Sequence, residues 1–354
     1  MSKTCLESTK RNNYIDFLKG AAILLVVVGH CIQYGSGHVY VLEEEFFNNS
    51  LYKLIYSFHM PLFILISGFL FAYSCEKYNT KKFIRNRIKS LCVPILCWGG
   101  IDFLIALNER SINKVDLALV KLGISSILST LWFLWAILFC SSICYLIKIR
   151  FNDNIYIHFG ILIFLMIVPE LYFLALAKFM YPYFVAGYYF NKKGLYSGQA
   201  LLTNKKGYLF LGIIYLGLYS LFNRNSFVYI TGISIFGKNS LKTVVEQLLI
   251  DGYRWIIGFV GCILFISITQ NCYELIRNRN LRVLEKFFVA IGKKSLAIYA
   301  FSHYINLFIL SKIDFVGNFV SWICQTIVII GVCYSIAVLV DKIKVLKFIM
   351  LGGR

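Results

Sequence analysis

The sequence predicts an all-α integral membrane protein with about ten transmembrane helices and both termini in the cytoplasm. Three observations lead to this fold class. Hydrophobic residues make up 59% of the 354 positions and charged residues only 15%, whereas a soluble domain holds roughly 25% charged residues. Apolar windows of about twenty residues, long enough to cross a bilayer, recur along the chain. Lys and Arg are concentrated in every second segment between these windows.

The apolar windows set the boundaries of the predicted helices. The ten spans are 16–34, 52–74, 91–107, 126–147, 155–170, 172–190, 207–222, 254–271, 294–311 and 319–340. Only Pro169 and Glu170 divide the fifth span from the sixth, so these are either two helices or one broken helix. We therefore expect a single membrane domain, with cytoplasmic tails over 1–15 and 341–354, transmembrane helices over 16–340, and no soluble domain.

The basic residues predict the orientation of these helices. Segments 75–90 and 277–294 each hold six Lys or Arg residues, whereas segment 35–51 holds none. Cytoplasmic loops carry such an excess of positive charge, and this side of the membrane accounts for the net charge of +19 without a nucleic-acid partner. The outer segment 223–253 is too long for a turn, and we expect a re-entrant or surface-lying helix around 240–250.

The first predicted span carries three ionisable residues. Lys19 and His30 are eleven residues apart, so on a helix they lie on nearly the same face, roughly 16 Å apart along the axis. Ionisable groups inside a span usually face a bundle interior or a wet cavity and are functional candidates. Asp16 and Lys19, at positions i and i+3, are also spaced to form an ion pair.

A second histidine, His59, enters the membrane with the second span. Its expected depth is close to that of His30, so the two imidazoles are predicted to meet. The alternative is that each is a core histidine bonded to a neighbouring carbonyl. Pro61 removes a backbone hydrogen bond and is expected to kink the helix beside His59.

Further candidates lie in later segments. Six cations follow the second span: Lys77, Lys81, Lys82, Arg85, Arg87 and Lys89. They suit the phosphates of a nucleotide-bearing donor, although the positive-inside bias and anionic lipids explain them equally well. His303 is a third intramembrane histidine, with a structural role as its alternative. Trp132 is placed where an interfacial aromatic belt is expected.

Five short motifs occur in a fixed order along the chain. They are 14–20 followed by Gly29-His30, 59–63 with Ser67-Gly68, 131–134, 184–188, and 295–299 with His303. Together they resemble the signatures of the acyltransferase-3 family, the bacterial membrane O-acyltransferases that modify surface polysaccharides. The sequence departs from the family in having Lys19 where members often have Arg, and we expect no appended hydrolase-like domain, which some members use to finish the transfer.

This resemblance implies a reaction and its participants. The donor would be acetyl-CoA or another acyl-CoA, used as a co-substrate without a bound cofactor or metal. The acceptor would be a hydroxyl of a cell-surface polysaccharide such as O-antigen or capsule, or of its lipid-linked precursor. The location would be the bacterial inner membrane. Membrane lipids and a partner acyltransferase or polysaccharide-assembly protein complete the expected partners, and no nucleic acid is among them.

The candidate site residues receive roles on this basis. His30 is the expected general base or acyl-accepting nucleophile, His59 positions or polarises the reacting groups, and Lys19 binds the donor or stabilises negative charge. The donor phosphates are assigned to Lys82, Arg85, Arg87 and Lys89. The supporting residues are Asp16, Ser67, Trp132, Ser295 and His303.

A different class of function fits some of the same features. A transporter or flippase for a lipid-linked sugar or small metabolite would also use many helices and a polar cluster near the midplane. The sequence shows no internal repeat, and the ordered motifs favour the enzyme. The absence of a Walker loop or HExxH motif disfavours ATP-driven transport and metalloproteolysis. A non-catalytic scaffold is a third interpretation, disfavoured by three intramembrane histidines.

Overall fold

The computed structural model describes residues 12–34, 45–110, 117–170, 174–194, 205–313 and 317–353, and in these ranges every regular element is a helix. In chain order the helices are α1 Asn13–Tyr34, α2 Ser50–Tyr56, α3 His59–Lys77, α4 Thr80–Arg87, α5 Val93–Arg110, α6 Leu117–Ser129, α7 Trp132–Phe151, α8 Ile155–Ile167, α9 Leu174–Lys192, α10 Lys205–Ser220, α11 Val228–Thr231, α12 Leu241–Asn278, α13 Arg282–Lys293, α14 Ser295–Phe308, α15 Phe319–Lys342 and α16 Lys344–Leu351.

Within these ranges, six helical stretches are long and apolar enough to cross a membrane. They are Asn13–Tyr34, Ser50–Lys77, Thr80–Asn108, Trp132–Phe151, Leu241–Asn278 and Phe319–Lys342. Shorter apolar helices cover Leu117–Ser129, Ile155–Ile167 and Leu209–Ser220. The all-helical fold is confirmed and indicates a multi-pass membrane protein. The count of ten spans and the cytoplasmic termini remain predictions.

Several boundaries differ from the expected ones. The predicted span 126–147 is divided because Leu131 has φ 42°, a left-handed conformation that ends α6 before α7 begins. The helix expected around 240–250 is not separate, since it forms the first turns of the 38-residue α12. The fifth and sixth spans correspond to two helices, α8 and α9.

The break beside His59 is also displaced from its expected position. Pro61 lies in the first turn of α3, where a missing N–H costs little, and the chain leaves helical geometry earlier, at Phe58. Ser57 stabilises this break, because its hydroxyl donates to Leu54 O at 2.8 Å and lies 2.7 Å from the Tyr215 hydroxyl. His59 is therefore the first residue of α3.

The chain divides into two compact units. The first comprises Met1–Tyr40 and Ile263–Ala337. In it, α1 and α13 are in backbone contact at two glycines. A Cβ at Gly20 would lie 2.0 Å from Phe288 O, and one at Gly292 would lie 1.7 Å from Asp16 O. This close crossing fixes the part of α1 that carries Asp16 and Lys19.

The second unit comprises Val41–Cys262 and Val338–Arg354. Its central pair is α3 and α9, which meet as closely as α1 and α13 do: a Cβ at Gly68 would lie 2.0 Å from Phe184 O, and one at Gly187 would lie 2.0 Å from Leu65 O. Two of the quoted motifs therefore pack on each other. This contact holds the helix that begins with His59.

Candidate functional site

The charged pair at the start of α1 is confirmed. Lys19 Nζ donates to Asp16 Oδ1 at 3.3 Å, and the Asp16 side chain is buried whereas that of Lys19 is 20% exposed. The i, i+3 spacing on a continuous helix brings the two groups together. The buried carboxylate gains a cation, which offsets part of its desolvation cost.

His30 lies near the other end of α1. Its ring is half-buried and 5.9 Å from the Tyr34 ring. The next residue, Cys31, accepts a hydrogen bond from the Thr326 hydroxyl of α15 at 3.5 Å. Because α1 is one uninterrupted helix from Asn13 to Tyr34, the separation of Lys19 from His30 along its axis is roughly 16 Å, as the spacing predicts.

His59 is buried in the second unit, with 3% of its surface exposed. Its Nδ1 lies 2.8 Å from Ile55 O. A carbonyl oxygen only accepts hydrogen bonds, so Nδ1 carries a proton, and in the neutral imidazole Nε2 is left with its lone pair. The structure therefore agrees with the alternative interpretation of His59, a core histidine bonded to a neighbouring carbonyl. The same bond fixes the orientation of the ring.

The meeting of His30 and His59 is a prediction from the sequence. His30 belongs to the first unit and His59 to the second. Their roles and their proximity stay predictions.

The supporting residues occupy different places in the fold. Ser67 donates to Phe63 O at 2.9 Å, so its hydroxyl is engaged within its own helix. Trp132 begins α7, and its ring meets the Phe133 ring edge-on at 5.9 Å. Ser295 begins α14, and His303 is half-buried further along that helix. None of these contacts assigns a chemical role.

The predicted donor-binding cations follow α3. Lys82, Arg85 and Lys89 are exposed, whereas Arg87 is half-buried. The Arg87 guanidinium lies over the rings of Phe71, at 5.3 Å, and Phe83, at 5.0 Å. Arg87 is thus a packing residue as well as a cation. Lys82 Nζ also lies over a ring, that of Tyr78, at 4.9 Å, whereas Arg85 and Lys89 present their charge to the surroundings.

The helix α4, which bears these cations except Lys89, is firmly attached to α7. The Phe83 ring stacks on the Tyr145 ring at 3.9 Å with an interplanar angle of 9°. The Tyr145 hydroxyl donates to Thr80 Oγ1 at 3.0 Å. The helix α7 also contacts α3, because Lys148 Nζ of α7 donates to Cys75 O of α3 at 2.7 Å.

The basic segment and His59 lie at opposite ends of α3. This helix has 19 residues, which corresponds to about 28 Å at 1.5 Å per residue. The cations of α4 follow its last residue, and His59 is its first. A donor whose phosphates bind at Arg85 has to extend its acyl arm along most of α3 to approach His59.

The structure also reveals a buried ion pair that the sequence analysis did not identify. Arg254 is 2% exposed and Asp251 fully buried; Arg254 Nη1 donates to Asp251 Oδ1 at 2.8 Å. The guanidinium also donates to Ser226 O at 3.0 Å, Gly232 O at 2.6 Å, Asn225 O at 2.7 Å and Phe227 O at 3.2 Å, and to Thr231 Oγ1. One side chain thus organises the segment 225–232.

The sequence contained a partial signal for this pair. Asp251 and Arg254 have the same i, i+3 spacing as Asp16 and Lys19, and both lie in a helix apolar enough to span the membrane. Their backbone partners in 225–232 belong to a different element, so no local pattern indicates which groups the arginine holds.

Together the fold and these residues define a class: a helical membrane protein with histidines and charged residues buried among its helices. The family model described as "Acyltransferase domain" matches residues 12–340, and the chain belongs to the acyltransferase-3 family. The resemblance found in the five motifs is thereby confirmed.

Two curated relatives are similar over part of the chain. The nodulation protein NolL of Mesorhizobium japonicum is 29% identical over 191 residues, which cover 52% of this chain and 48% of the relative. The nodulation protein NolL of Sinorhizobium fredii is 29% identical over 207 residues, which cover 57% of this chain and 55% of the relative. The matched stretch thus covers about half the length of these relatives. No solved structure matches the chain.

Proposed function

We propose that the chain is a membrane O-acyltransferase that moves an acetyl group from acetyl-CoA to a sugar hydroxyl of a cell-surface polysaccharide or its lipid-linked precursor. The observation that carries the proposal is α1, a continuous helix with Lys19 and His30 eleven residues apart. Family membership supports the reaction class. The bacterial inner membrane is proposed as its location.

The reaction requires a base because a sugar hydroxyl is a weak nucleophile. We assign His30 to take the hydroxyl proton while the oxygen attacks the thioester carbonyl carbon. The C–O bond forms and the C–S bond breaks, and the leaving thiolate of CoA receives the proton from the imidazolium. The ammonium of Lys19 binds the donor or balances negative charge that develops on it.

His59 receives a narrower role than the sequence suggested. With the proton on Nδ1 and held by Ile55 O, the neutral ring offers only a lone pair at Nε2. Such a nitrogen accepts a hydrogen bond from a hydroxyl but cannot donate one to an oxyanion. We therefore assign His59 to orienting the acceptor hydroxyl rather than to polarising the thioester carbonyl.

The donor phosphates are assigned to the exposed cations Lys82, Arg85 and Lys89, with Arg87 holding the segment in place. Arg85 offers the planar fork that binds phosphate oxygens in pairs. No cofactor or metal is needed for this transfer. Membrane lipids surround the protein, and a partner acyltransferase or polysaccharide-assembly protein is the expected neighbour.

The test is transfer of labelled acetyl from acetyl-CoA into surface glycan, using membranes that carry equal amounts of the native protein, His30→Ala or His59→Ala. We expect transfer with the native protein and a loss of about 10²- to 10⁴-fold with His30→Ala, the contribution of a general base. Label that stays on the native protein, but not on His30→Ala, after rapid denaturation at neutral pH would assign His30 as nucleophile instead. Absence of transfer by the native protein, together with substrate uptake that needs no acyl donor, would favour a transporter.

A further inference from the structure

At the end of α3 opposite to α4, one aromatic ring contacts His59 and further rings pack against that ring. The Tyr56 ring meets the imidazole edge-on at 4.6 Å and stacks on the Tyr52 ring at 3.9 Å. The Phe227 ring is 5.7 Å from that of Tyr52, and the Tyr229 ring is 5.5 Å from that of Phe227. We refer to Tyr52, Tyr56, Phe227 and Tyr229 as the aromatic cluster.

The aromatic cluster has a buried floor and an exposed rim. Tyr52 is fully buried and Phe227 nearly so, whereas Tyr229 is 43% exposed. The hydroxyls of Tyr52 and Tyr229 are hydrogen-bonded at 2.9 Å. The rim thus combines a flat apolar ring with a hydroxyl that both donates and accepts hydrogen bonds.

The segment that carries Phe227 and Tyr229 is fixed by the buried pair of Arg254 and Asp251. Taking two charges out of water is costly, and a buried pair is often no more stabilising than apolar residues of the same size. Here the guanidinium donates hydrogen bonds to four backbone oxygens of segment 225–232. Gln247 Nε2 adds a bond to Gly232 O at 3.1 Å and bonds to both Asp251 oxygens at 3.1 Å. The result is a short segment held in one conformation, as a preorganised binding surface requires.

The chemistry of the rim identifies the class of ligand. A pyranose ring has apolar C–H faces and a polar edge of hydroxyls, and a tyrosine has the matching flat face and polar tip. The hydrocarbon part of an acyl chain cannot form hydrogen bonds with the paired hydroxyls. A phosphate requires cations, but among the described residues one cation lies over a ring beside the cluster: Arg224 is 5.6 Å above Phe47, whose ring is 5.1 Å from that of Phe227.

We propose that the aromatic cluster binds a sugar ring of the acceptor glycan beside His59, with Tyr229 as its principal contact. This inference rests on the proposed O-acyltransferase function and deepens it by assigning the acceptor subsite. Acceptor and donor then bind at opposite ends of α3, the acceptor at the aromatic cluster and the donor phosphates at α4.

The first test is the kinetics of Tyr229→Ala. We expect the KM for de-O-acetylated surface polysaccharide to rise about ten-fold, which corresponds to roughly 1.4 kcal/mol, while the KM for acetyl-CoA stays unchanged. Tyr229→Phe, which keeps the ring and loses the hydroxyl, is expected to give a smaller rise. Phe236→Ala is the matched control, because Phe236 is an aromatic residue of the same region that is 64% exposed and makes no ring contact within the described residues. An unchanged KM for polysaccharide in Tyr229→Ala would overturn the proposal.

A second measurement separates this inference from the proposed function. Detergent-purified protein is passed over immobilised de-O-acetylated polysaccharide, without any donor. Retention of the native protein and early elution of Tyr229→Ala would support the subsite even if no acetyl transfer occurs, in which case the proposed function alone fails. Failure of the native protein to be retained would overturn the subsite, and acetyl transfer by the same preparation would show that the enzyme function stands without it.

Discussion

Replacing Gly292 by Ala tests the contact that holds α1 in the first unit. A Cβ at this position would lie 1.7 Å from Asp16 O, whereas non-bonded carbon and oxygen atoms need roughly 3.4 Å. The two helices must therefore separate by about 1.7 Å or bend. Overpacking of this kind costs about 1–3 kcal/mol.

The displaced part of α1 carries Asp16 and Lys19, so we expect an effect on activity as well as stability. A misplacement of about 1 Å in a catalytic group can cost roughly 10²-fold in rate. Gly331→Ala in α15 is the matched control, since a Cβ there has nothing within 4 Å and Ala favours the helix by about 1 kcal/mol.

Thermal unfolding in detergent and acetyl transfer are measured on the same preparations. We expect Gly292→Ala to unfold several degrees lower and to transfer acetyl far more slowly, while Gly331→Ala is at least as stable as the native protein. A Gly292→Ala protein with native unfolding and native transfer would refute the close crossing of α1 and α13.

Three further predictions concern the charged residues. Lys19→Ala removes the cation that pairs with the buried Asp16 carboxylate and is expected to cost about 1–2 kcal/mol of stability, a figure discounted because the lysine is partly exposed. Lys19→Arg should retain both stability and acetyl transfer. Equal unfolding temperatures for the two variants would contradict this prediction. Arg85→Ala is expected to raise the KM for acetyl-CoA about ten-fold without changing the unfolding temperature, since a charge-assisted hydrogen bond contributes about 1.5–3 kcal/mol. Arg87→Ala loses the contact with two rings and should instead lower the unfolding temperature. The reverse pattern would exchange the roles assigned to the two arginines. Arg254→Ala is expected to destabilise the fold by about 3–5 kcal/mol because the buried Asp251 carboxylate loses its arginine partner, and native behaviour in an unfolding curve would show that the pair does not hold segment 225–232.

Much of the helical architecture was predictable from sequence because hydropathy alone selects segments that can cross a bilayer. The Asp16 and Lys19 pair was equally predictable, since both partners lie on one turn of one helix. The features that were missed depend on tertiary partners. The break before His59 is stabilised by Tyr215, which is more than 150 residues away in the chain, and no local pattern contains that partner.

In the candidate site, too, features local to one element were predictable and features that depend on distant partners were not. The histidines and cations could be named from sequence because such residues are costly inside a membrane and therefore conspicuous. The proton position on His59 could not, because it depends on the break that brings Nδ1 to Ile55 O. The aromatic cluster also escaped prediction, since its rings come from α2 and from the distant segment that Arg254 holds.

The attachment of α4 to α7 has a consequence for how the donor would be recognised. Because the Phe83 and Tyr145 stack and the Tyr145 hydrogen bond fix this helix in advance, binding a nucleotide does not require the basic segment to become ordered. The entropy cost of association then falls mainly on the donor itself. Attraction between the exposed cations and the phosphates adds to the direct bonds proposed for Arg85, and salt screens it over about 8–10 Å at physiological strength. The proposed donor affinity should therefore fall as ionic strength rises.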